Sequence, residues 1–337
     1  MAQSRIRTTV VGSYPVPDWL VALPSQQALI DATTVVFKTQ ELAGIDVVAD
    51  GELYRFDVNH PDTNGMIEYF VRPLSGVRSQ ITRADIEEFS KMRGMGFRAE
   101  PAGVVEGPID EGTLNLPRDY RRARGCTRHP LKFTLTGPHM LSKTLMDRHY
   151  KSKADLAAAL GRALAKQVAD IDPQVLQVDE ANIPGSPDEG EWAAESINLI
   201  LDASKVPEKG VHICFGNYGG QSIQKGEWKK LIGFMNKLHC DHLVLEFAFR
   251  GYDELIHFKE QLNPRIGIGL GVIDVKVNTV ETPETVAKRI ETASEIVGPE
   301  RITWVHPDCG FWMNKRSIAD RKIEALVKGR NMFLGTA

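Results

Sequence analysis

Four residues of this chain have side chains that commonly bind zinc. They are His212, Cys214, Glu246 and Cys309, and each lies in a short, mostly apolar segment. Two thiolates, an imidazole and a carboxylate suit a tetrahedral Zn²⁺ site. Zinc held in this way can bind a substrate thiol and keep it as a nucleophilic thiolate at neutral pH. The four residues therefore predict a zinc enzyme that alkylates a thiol.

The spacing of these residues suits a protein built from alternating strands and helices. His212 and Cys214 are two residues apart, so on a strand both side chains point to the same side. Glu246 comes about one βα unit after Cys214, and Cys309 comes about two units after Glu246. A buried cysteine and a hydrogen-bonded core histidine would explain the His-x-Cys pair alone. The barrel-compatible intervals to the other two residues favour the zinc site.

Eight apolar runs that alternate with helical patterns predict the strands that position these residues. They are Thr8–Val11, Asp46–Ala49, Lys132–Leu135, Val175–Val178, Val211–Cys214, His242–Leu245, Arg265–Leu270 and Arg301–Val305. Eight such units in a chain of 337 residues are typical of a (β/α)8 TIM barrel. Residues 71–130 break the alternation and predict a long excursion between the second and third barrel strands, placed to cover the barrel mouth. We expect residues 1–337 to form a single catalytic barrel domain.

Polar residues gather at the carboxyl ends of the predicted strands, and in a barrel those ends form the face that carries the active site. Glu52 and Asp179 belong to carboxylate pairs and predict a site for a cationic group such as a substrate ammonium, although an aspartate there can also cap a helix. Gly12 and Ser13 form a tight turn whose backbone can approach a ligand closely. His306, close to Cys309, is a candidate acid or base.

Composition narrows the class of protein. The net charge is -3 and no basic tract occurs, which disfavours binding to nucleic acid or to anionic membranes. No apolar run approaches the roughly 20 residues that span a bilayer, and residues 1–7 lack the apolar core of a signal peptide. The chain has four cysteines, two of them in the predicted zinc set, which favours a reducing cytoplasm over a disulfide framework.

Over nearly its whole length the chain resembles the cobalamin-independent methionine synthase family. The resemblance is carried by Val11–Pro15, Asp50–Glu52, Thr136–Pro138, Gln177–Glu180, His212-x-Cys214, Glu246, Gly271–Asp274 and Pro307–Gly310. It implies alkyl transfer to a zinc-bound thiol on a barrel, with His212, Cys214, Glu246 and Cys309 binding Zn²⁺. It also implies that Glu52 and Asp179 hold the amino group of homocysteine, and that the backbone near Gly12 and Ser13 holds its carboxylate.

Two departures from the family bear on the methyl donor. The chain has room for one barrel, corresponding to the C-terminal catalytic half of the long members, and it looks like the short core members. Thr144 stands where the long enzymes have a tryptophan that stacks on folate, and Lys276 stands where they have a histidine that relays a proton to the departing folate. Both differences favour a methyl-corrinoid donor, either methylcobalamin or a corrinoid protein, because cob(I)alamin leaves without a proton. Methyltetrahydrofolate is the alternative donor.

A neighbouring branch of the family opens epoxides with coenzyme M by the same zinc chemistry. There Lys276 or His139 would protonate the alkoxide, and one of Arg55, Arg72 or Arg98 would bind the sulfonate. Glu52 and Asp179 would repel a sulfonate, which favours homocysteine as the thiol.

The candidate catalytic residues are then His306, Lys276 and Asp274. The alternative that is not an enzyme is a zinc-stabilised barrel acting as a scaffold.

Overall fold

The computed structural model describes residues 6–57, 65–91, 98–217 and 221–336. These residues form eleven strands: β1 Arg7–Thr8, β2 Val48–Ala49, β3 Ser75–Arg78, β4 Val104–Asp110, β5 Leu131–Thr136, β6 Met146–Asp147, β7 Val175–Glu180, β8 Glu208–Ile213, β9 His242–Leu245, β10 Gly267–Ile273 and β11 Ile302–Pro307. The α-helices of the same residues are α1 Asp18–Ala22, α2 Gln26–Ala43, α3 Glu68–Val71, α4 Arg83–Lys91, α5 Leu116–Gly125, α6 Pro138–Thr144, α7 Lys153–Val168, α8 Gly190–Ala203, α9 Ile232–Met235, α10 Leu255–Gln261, α11 Pro283–Val297 and α12 Arg316–Leu334.

Eight of the strands form one parallel sheet that closes on itself. Their order is β1-β11-β10-β9-β8-β7-β5-β2. A parallel bridge between Thr9 and Val47 joins the first strand to the last. Each of the eight predicted strands overlaps one of these, and β9 has the predicted bounds. The predicted (β/α)8 barrel is therefore confirmed.

The barrel strands read as apolar runs because helices cover their outer side and other side chains fill the inside. All six residues of β5 and of β7 are buried. Several buried polar side chains interrupt this apolar pattern, among them Lys132, Gln177 and His306. A polar group without water needs hydrogen-bond partners, so these three residues point to an organised polar region inside the barrel.

The helices that cover the barrel begin at recognisable caps. The Ser152 hydroxyl accepts the backbone N–H of Asp155 at the start of α7, and the Thr282 hydroxyl accepts that of Thr285 at the start of α11. Pro283 occupies the first turn of α11, where its missing N–H costs nothing. None of the helices in the described ranges is both long enough and apolar enough to cross a bilayer.

The excursion between the second and third barrel strands contributes β3 and β4 to a small sheet, whose remaining strand β6 follows the third barrel strand. β3 pairs with β4 antiparallel, and β4 pairs with β6 in parallel. The chain leaves the barrel directly after β2, earlier than residue 71. The last helix of the segment, α5, packs against α2 and α7 and so takes the place of a barrel helix. None of the described residues of 71–130 lines the cavity described below, whereas residues 65–67, which precede them, do.

Candidate metal and substrate site

Three of the four predicted zinc ligands meet at the carboxyl ends of β8 and β11. Ligand atoms of His212, Cys214 and Cys309 all lie within 4.8 Å of one another. The two sulfurs are 4.0 Å apart, whereas two sulfurs bound to tetrahedral zinc at ~2.3 Å would be about 3.8 Å apart. A disulfide would require a separation of about 2.05 Å. The cysteines are free thiols at a spacing that a zinc ion can bridge.

The orientation of His212 also suits a metal. Its Nδ1–H donates to the Val244 carbonyl at 2.8 Å, which leaves Nε2 with the lone pair. Nε2 is buried and has no hydrogen-bond partner among the described residues. A buried acceptor without a partner is costly unless a ligand satisfies it. A metal ion beside the two sulfurs would do so, with the Val244 carbonyl fixing the tautomer.

The two thiols differ in acidity. The hydrogen bond from Cys214, together with His212, holds the pKa of the Cys309 thiol well below its usual value. The same bond to Cys309, together with burial, raises the pKa of Cys214 well above its usual value. Because metal ligands must be deprotonated, binding of a divalent cation here would release the proton of Cys214.

Glu246, the fourth predicted ligand, lies directly after β9 but outside the three-residue cluster in the described part of the chain. Its Oε2 is 3.1 Å from the Lys276 ammonium, which also donates to the Ser222 hydroxyl at 2.7 Å. Its Oε1 is buried and accepts no hydrogen bond from the described residues. One carboxylate oxygen is thus bound to a lysine while the other is available to a cation.

Asp308 ties the loop after Glu246 to the end of β11. Its carboxylate accepts the backbone N–H groups of Phe247, Ala248 and Phe249 at 2.7–2.9 Å. A Cβ on Gly271 would lie 2.1 Å from the Asp308 Oδ1, so this position must be glycine for the two strands to approach. These contacts set the relative positions of the segments that carry Glu246 and Cys309.

A second group of predicted residues lies beyond the carboxyl ends of β1 and β2. Glu52 has a left-handed backbone, with φ of 59°, and its backbone N–H donates to the Asp50 carboxylate at 2.8 Å. Its side chain accepts the Thr134 hydroxyl at 2.6 Å and lies 3.2 Å from the Arg55 guanidinium. A Cβ on Gly12 would lie 2.1 Å from Glu52 Oε1, so the predicted close approach at Gly12 is made by this carboxylate.

Asp179 completes this group from the end of β7. It accepts the side-chain N–H of Gln177 at 2.7 Å, and burial raises its pKa to about 7. Ser13, Glu52 and Asp179 line one cavity of about 400 Å³ together with His212, Cys214 and Cys309. The structure therefore brings the predicted ammonium site and the sulfur ligands around one volume.

The three predicted catalytic residues lie around this cavity but are not among the described residues that line it. The Asp274 carboxylate accepts the backbone N–H of Lys276 at 2.8 Å and so shapes the loop that carries this lysine. His306 is fully buried, donates through Nδ1 to the Pro307 carbonyl at 2.7 Å, and has its pKa lowered to about 3 by burial. His306 is therefore neutral, and proton transfer by any of the three stays a prediction.

Two contacts of this site were not predicted from the sequence. Arg55 is buried and paired with Glu52, and Lys132 bonds to Gln177 inside the barrel. The signal for Lys132 is present in the sequence, because a lysine between Leu131 and Phe133 is unusual in a strand whose other residues are apolar or threonine. No motif marks Arg55 beyond its position three residues after Glu52.

Comparisons with known proteins agree on one family. Residues 6–330 match the family model of the catalytic domain of cobalamin-independent synthase. The chain is 31% identical to a methionine synthase of Sulfurisphaera tokodaii and 29% identical to one of Thermococcus kodakarensis, in each case over 96% of this chain and at least 90% of the relative. In structure it is similar to a B12-independent methionine synthase of a Shewanella species in complex with selenomethionine. That similarity has a TM-score of 0.79, 24% identity and coverage of 98% of both chains.

Proposed function

Because the chain belongs to the cobalamin-independent methionine synthase family, we propose that it transfers a methyl group to the thiol of homocysteine held at a zinc ion. The observation that carries this proposal is the shared cavity. Its lining includes one imidazole, two sulfurs and the carboxyl groups of Glu52 and Asp179. A thiol that also carries an ammonium group matches both sets of groups at once. We further propose that the chain acts in the cytoplasm as one catalytic barrel.

The proposed metal ligands are His212, Cys214, Cys309 and Glu246. Zinc, when bound, would accept the substrate thiol as a ligand and keep it deprotonated for attack on an activated methyl carbon. Two thiolates and a carboxylate would give such a site an overall negative charge, which favours thiolate reactivity over Lewis-acid hydrolysis. Lys276 lies beside this set and partly neutralises Glu246.

The charged side chains support homocysteine over coenzyme M. Glu52 and Asp179 would attract an ammonium and repel a sulfonate. Two of the three arginines considered for a sulfonate already pair with carboxylates, Arg55 with Glu52 and Arg98 with Glu68. The backbone near Gly12 and Ser13 is the proposed partner of the substrate carboxylate.

Two methyl donors give two versions of the proposal. The matched family is described as cobalamin-independent, which lends no support to the expected methyl-corrinoid donor and fits methyltetrahydrofolate. The buried Thr144 hydroxyl, however, donates to the Leu141 carbonyl at 2.7 Å and offers no ring for a pterin. Methylcobalamin is therefore kept as the second candidate donor.

A panel of substrates tests the proposal. Zinc-loaded protein is incubated with L-homocysteine or coenzyme M, each combined with methyltetrahydrofolate, methylcobalamin or a short epoxide, and products are detected by mass spectrometry. We expect methionine from homocysteine with one of the two methyl donors. A product formed only from coenzyme M and the epoxide would replace the proposal with epoxide opening. No turnover with any pair would favour the scaffold.

A further inference from the structure

A lysine is buried inside the barrel directly beneath the proposed substrate site. Lys132 is 1% exposed and lies on β5, one residue after its start. Its ammonium donates to the Val10 carbonyl and, at 2.7 Å, to the side-chain oxygen of Gln177. Burial of a lysine is costly unless its charge is compensated. Burial lowers the pKa of Lys132 to about 7, and the charges of Asp179 and Glu52 offset only part of this effect.

Gln177 connects Lys132 to Asp179, one of the residues that line the cavity. Because its side-chain oxygen accepts from Lys132, its N–H groups face the other way. They donate to Asp179 Oδ1 at 2.7 Å and to the Val11 carbonyl at 2.9 Å. The reverse orientation would bring the amide oxygen against the Val11 carbonyl and a carboxylate, both of which only accept hydrogen bonds. The lysine ammonium, which only donates, and the two acceptors on the other side therefore require the same amide orientation, the one that holds Asp179.

The same two side chains also hold the backbone that leads into the tight turn. Lys132 bonds to the carbonyl of Val10 and Gln177 to that of Val11, the two residues before Gly12. The carboxylate and the backbone that would face the two charged groups of an amino acid are thus attached to one buried pair. On the other side of the site, Arg55 pairs with Glu52. Glu52 thus has Arg55 as its nearby cation, and Asp179 has Lys132.

We propose that Lys132 and Gln177 are positioning residues for the amino-acid end of the substrate, an inference that rests on homocysteine being the substrate. Lys132 orients Gln177, Gln177 holds the Asp179 carboxylate toward the ammonium, and both residues anchor the backbone before Gly12 for the substrate carboxylate. The hydrogen bonds of the two residues run to each other, to Val10, to Val11 and to Asp179, and none of them runs to a sulfur. Their removal should therefore weaken recognition of the amino-acid group and leave thiol binding unchanged.

Isothermal titration of zinc-loaded protein tests this assignment with two thiols. The first is L-homocysteine, and the second is propane-1-thiol, which keeps the thiol and the carbon chain but lacks both charged groups. The variants are Lys132→Met and Gln177→Met. The control is Lys322→Met, because Lys322 is equally buried and bonds to the Asp274 carbonyl and to Glu281, both outside the cavity. Titration needs no methyl donor, so the result does not depend on the donor's identity.

We expect both variants to lose about tenfold in affinity for homocysteine and to keep the wild-type affinity for propane-1-thiol and the wild-type zinc content. Equal losses for both thiols, or no loss for homocysteine, would overturn the assignment. If Lys132→Met does not fold, Gln177→Met carries the test, since it has similar volume and removes no charge. A wild-type protein that does not prefer homocysteine to propane-1-thiol would contradict the proposed function itself.

Discussion

Single side chains at this site act through their hydrogen-bond partners. His212 presents Nε2 to the two sulfurs because its Nδ1–H is bonded to the Val244 carbonyl. Glu246 has one oxygen on Lys276 and one without a partner among the described residues. The clustering of His212, Cys214 and Cys309 could be predicted from the sequence, since their residue types and strand spacing are recognisable. The pairing of Glu246 with Lys276 could not, because it depends on how two separate loops pack.

Replacement of Cys309 by serine tests the metal set. A neutral hydroxyl is a poor zinc ligand beside a thiolate, so Cys309→Ser should lose zinc affinity by at least about a hundredfold and activity with it. Chelator competition and metal analysis measure the affinity. Cys240→Ser is the control, since Cys240 lies outside the cavity and should behave as wild type. An active, zinc-free Cys309→Ser protein would contradict the assignment.

The role of Lys276 is tested through zinc affinity rather than through proton transfer. The lysine competes for the Glu246 carboxylate, so Lys276→Met should leave this buried charge to the cation and raise zinc affinity by about tenfold. Lys276→Arg keeps the charge and should keep the affinity near that of the wild type. If Lys276 acts only as a proton donor, zinc affinity stays constant in Lys276→Met while turnover falls.

Elements, rather than single residues, decide which side chains reach the cavity. The barrel strands end at the mouth, and local contacts fix the turns that follow them. One such contact is the hydrogen bond from the Glu52 backbone N–H to the Asp50 carboxylate. A further contact joins three segments of the chain. His139 on α6 bonds to Glu180 at 3.0 Å and to Glu189 at 2.9 Å. It thereby connects α6, β7 and the segment before α8.

The His139 contact should give stability a distinct pH dependence. Burial would lower the pKa of His139, but Glu180 and Glu189 raise it to about 9, above an unfolded value of about 6.5. The ion pairs of His139 should therefore contribute about 3 kcal/mol to the free energy of unfolding. This contribution is complete below pH ~6.5 and is lost as the pH rises through 9. Denaturant unfolding of wild type and His139→Gln should show a difference that shrinks over this window. A difference that does not depend on pH would contradict the ion pairs.

At the scale of the whole molecule, the barrel could be predicted because its strands are buried on both sides and leave a strong apolar pattern. The excursion was harder to predict, because β3 and β4 pair although 25 or more residues separate them. The small sheet then adds β6, which follows the third barrel strand. Residues 65–67 also line the cavity, although no local sequence pattern indicates it. The contacts of Lys132 were missed for a related reason, because its partner Gln177 lies on β7 and its partner Val10 follows β1.

The barrel has a large apolar core, so zinc should stabilise the fold without being required for it. Binding to the native state alone adds about 4 kcal/mol at a metal concentration a thousandfold above Kd. Removal of zinc with a chelator should therefore lower Tm by several degrees and leave the far-ultraviolet circular dichroism unchanged. Complete unfolding on chelation, or an unchanged Tm, would contradict this expectation.

The central claim is that the cavity binds a substrate thiol at zinc, and X-ray absorption at the zinc edge tests it most directly. Spectra of the zinc-loaded protein are recorded with and without L-homocysteine. Cys214 and Cys309 should supply the sulfur scatterers of the free protein. Homocysteine should add one more sulfur at ~2.3 Å from zinc. A coordination shell that homocysteine leaves unchanged would contradict the claim and favour a zinc-stabilised scaffold.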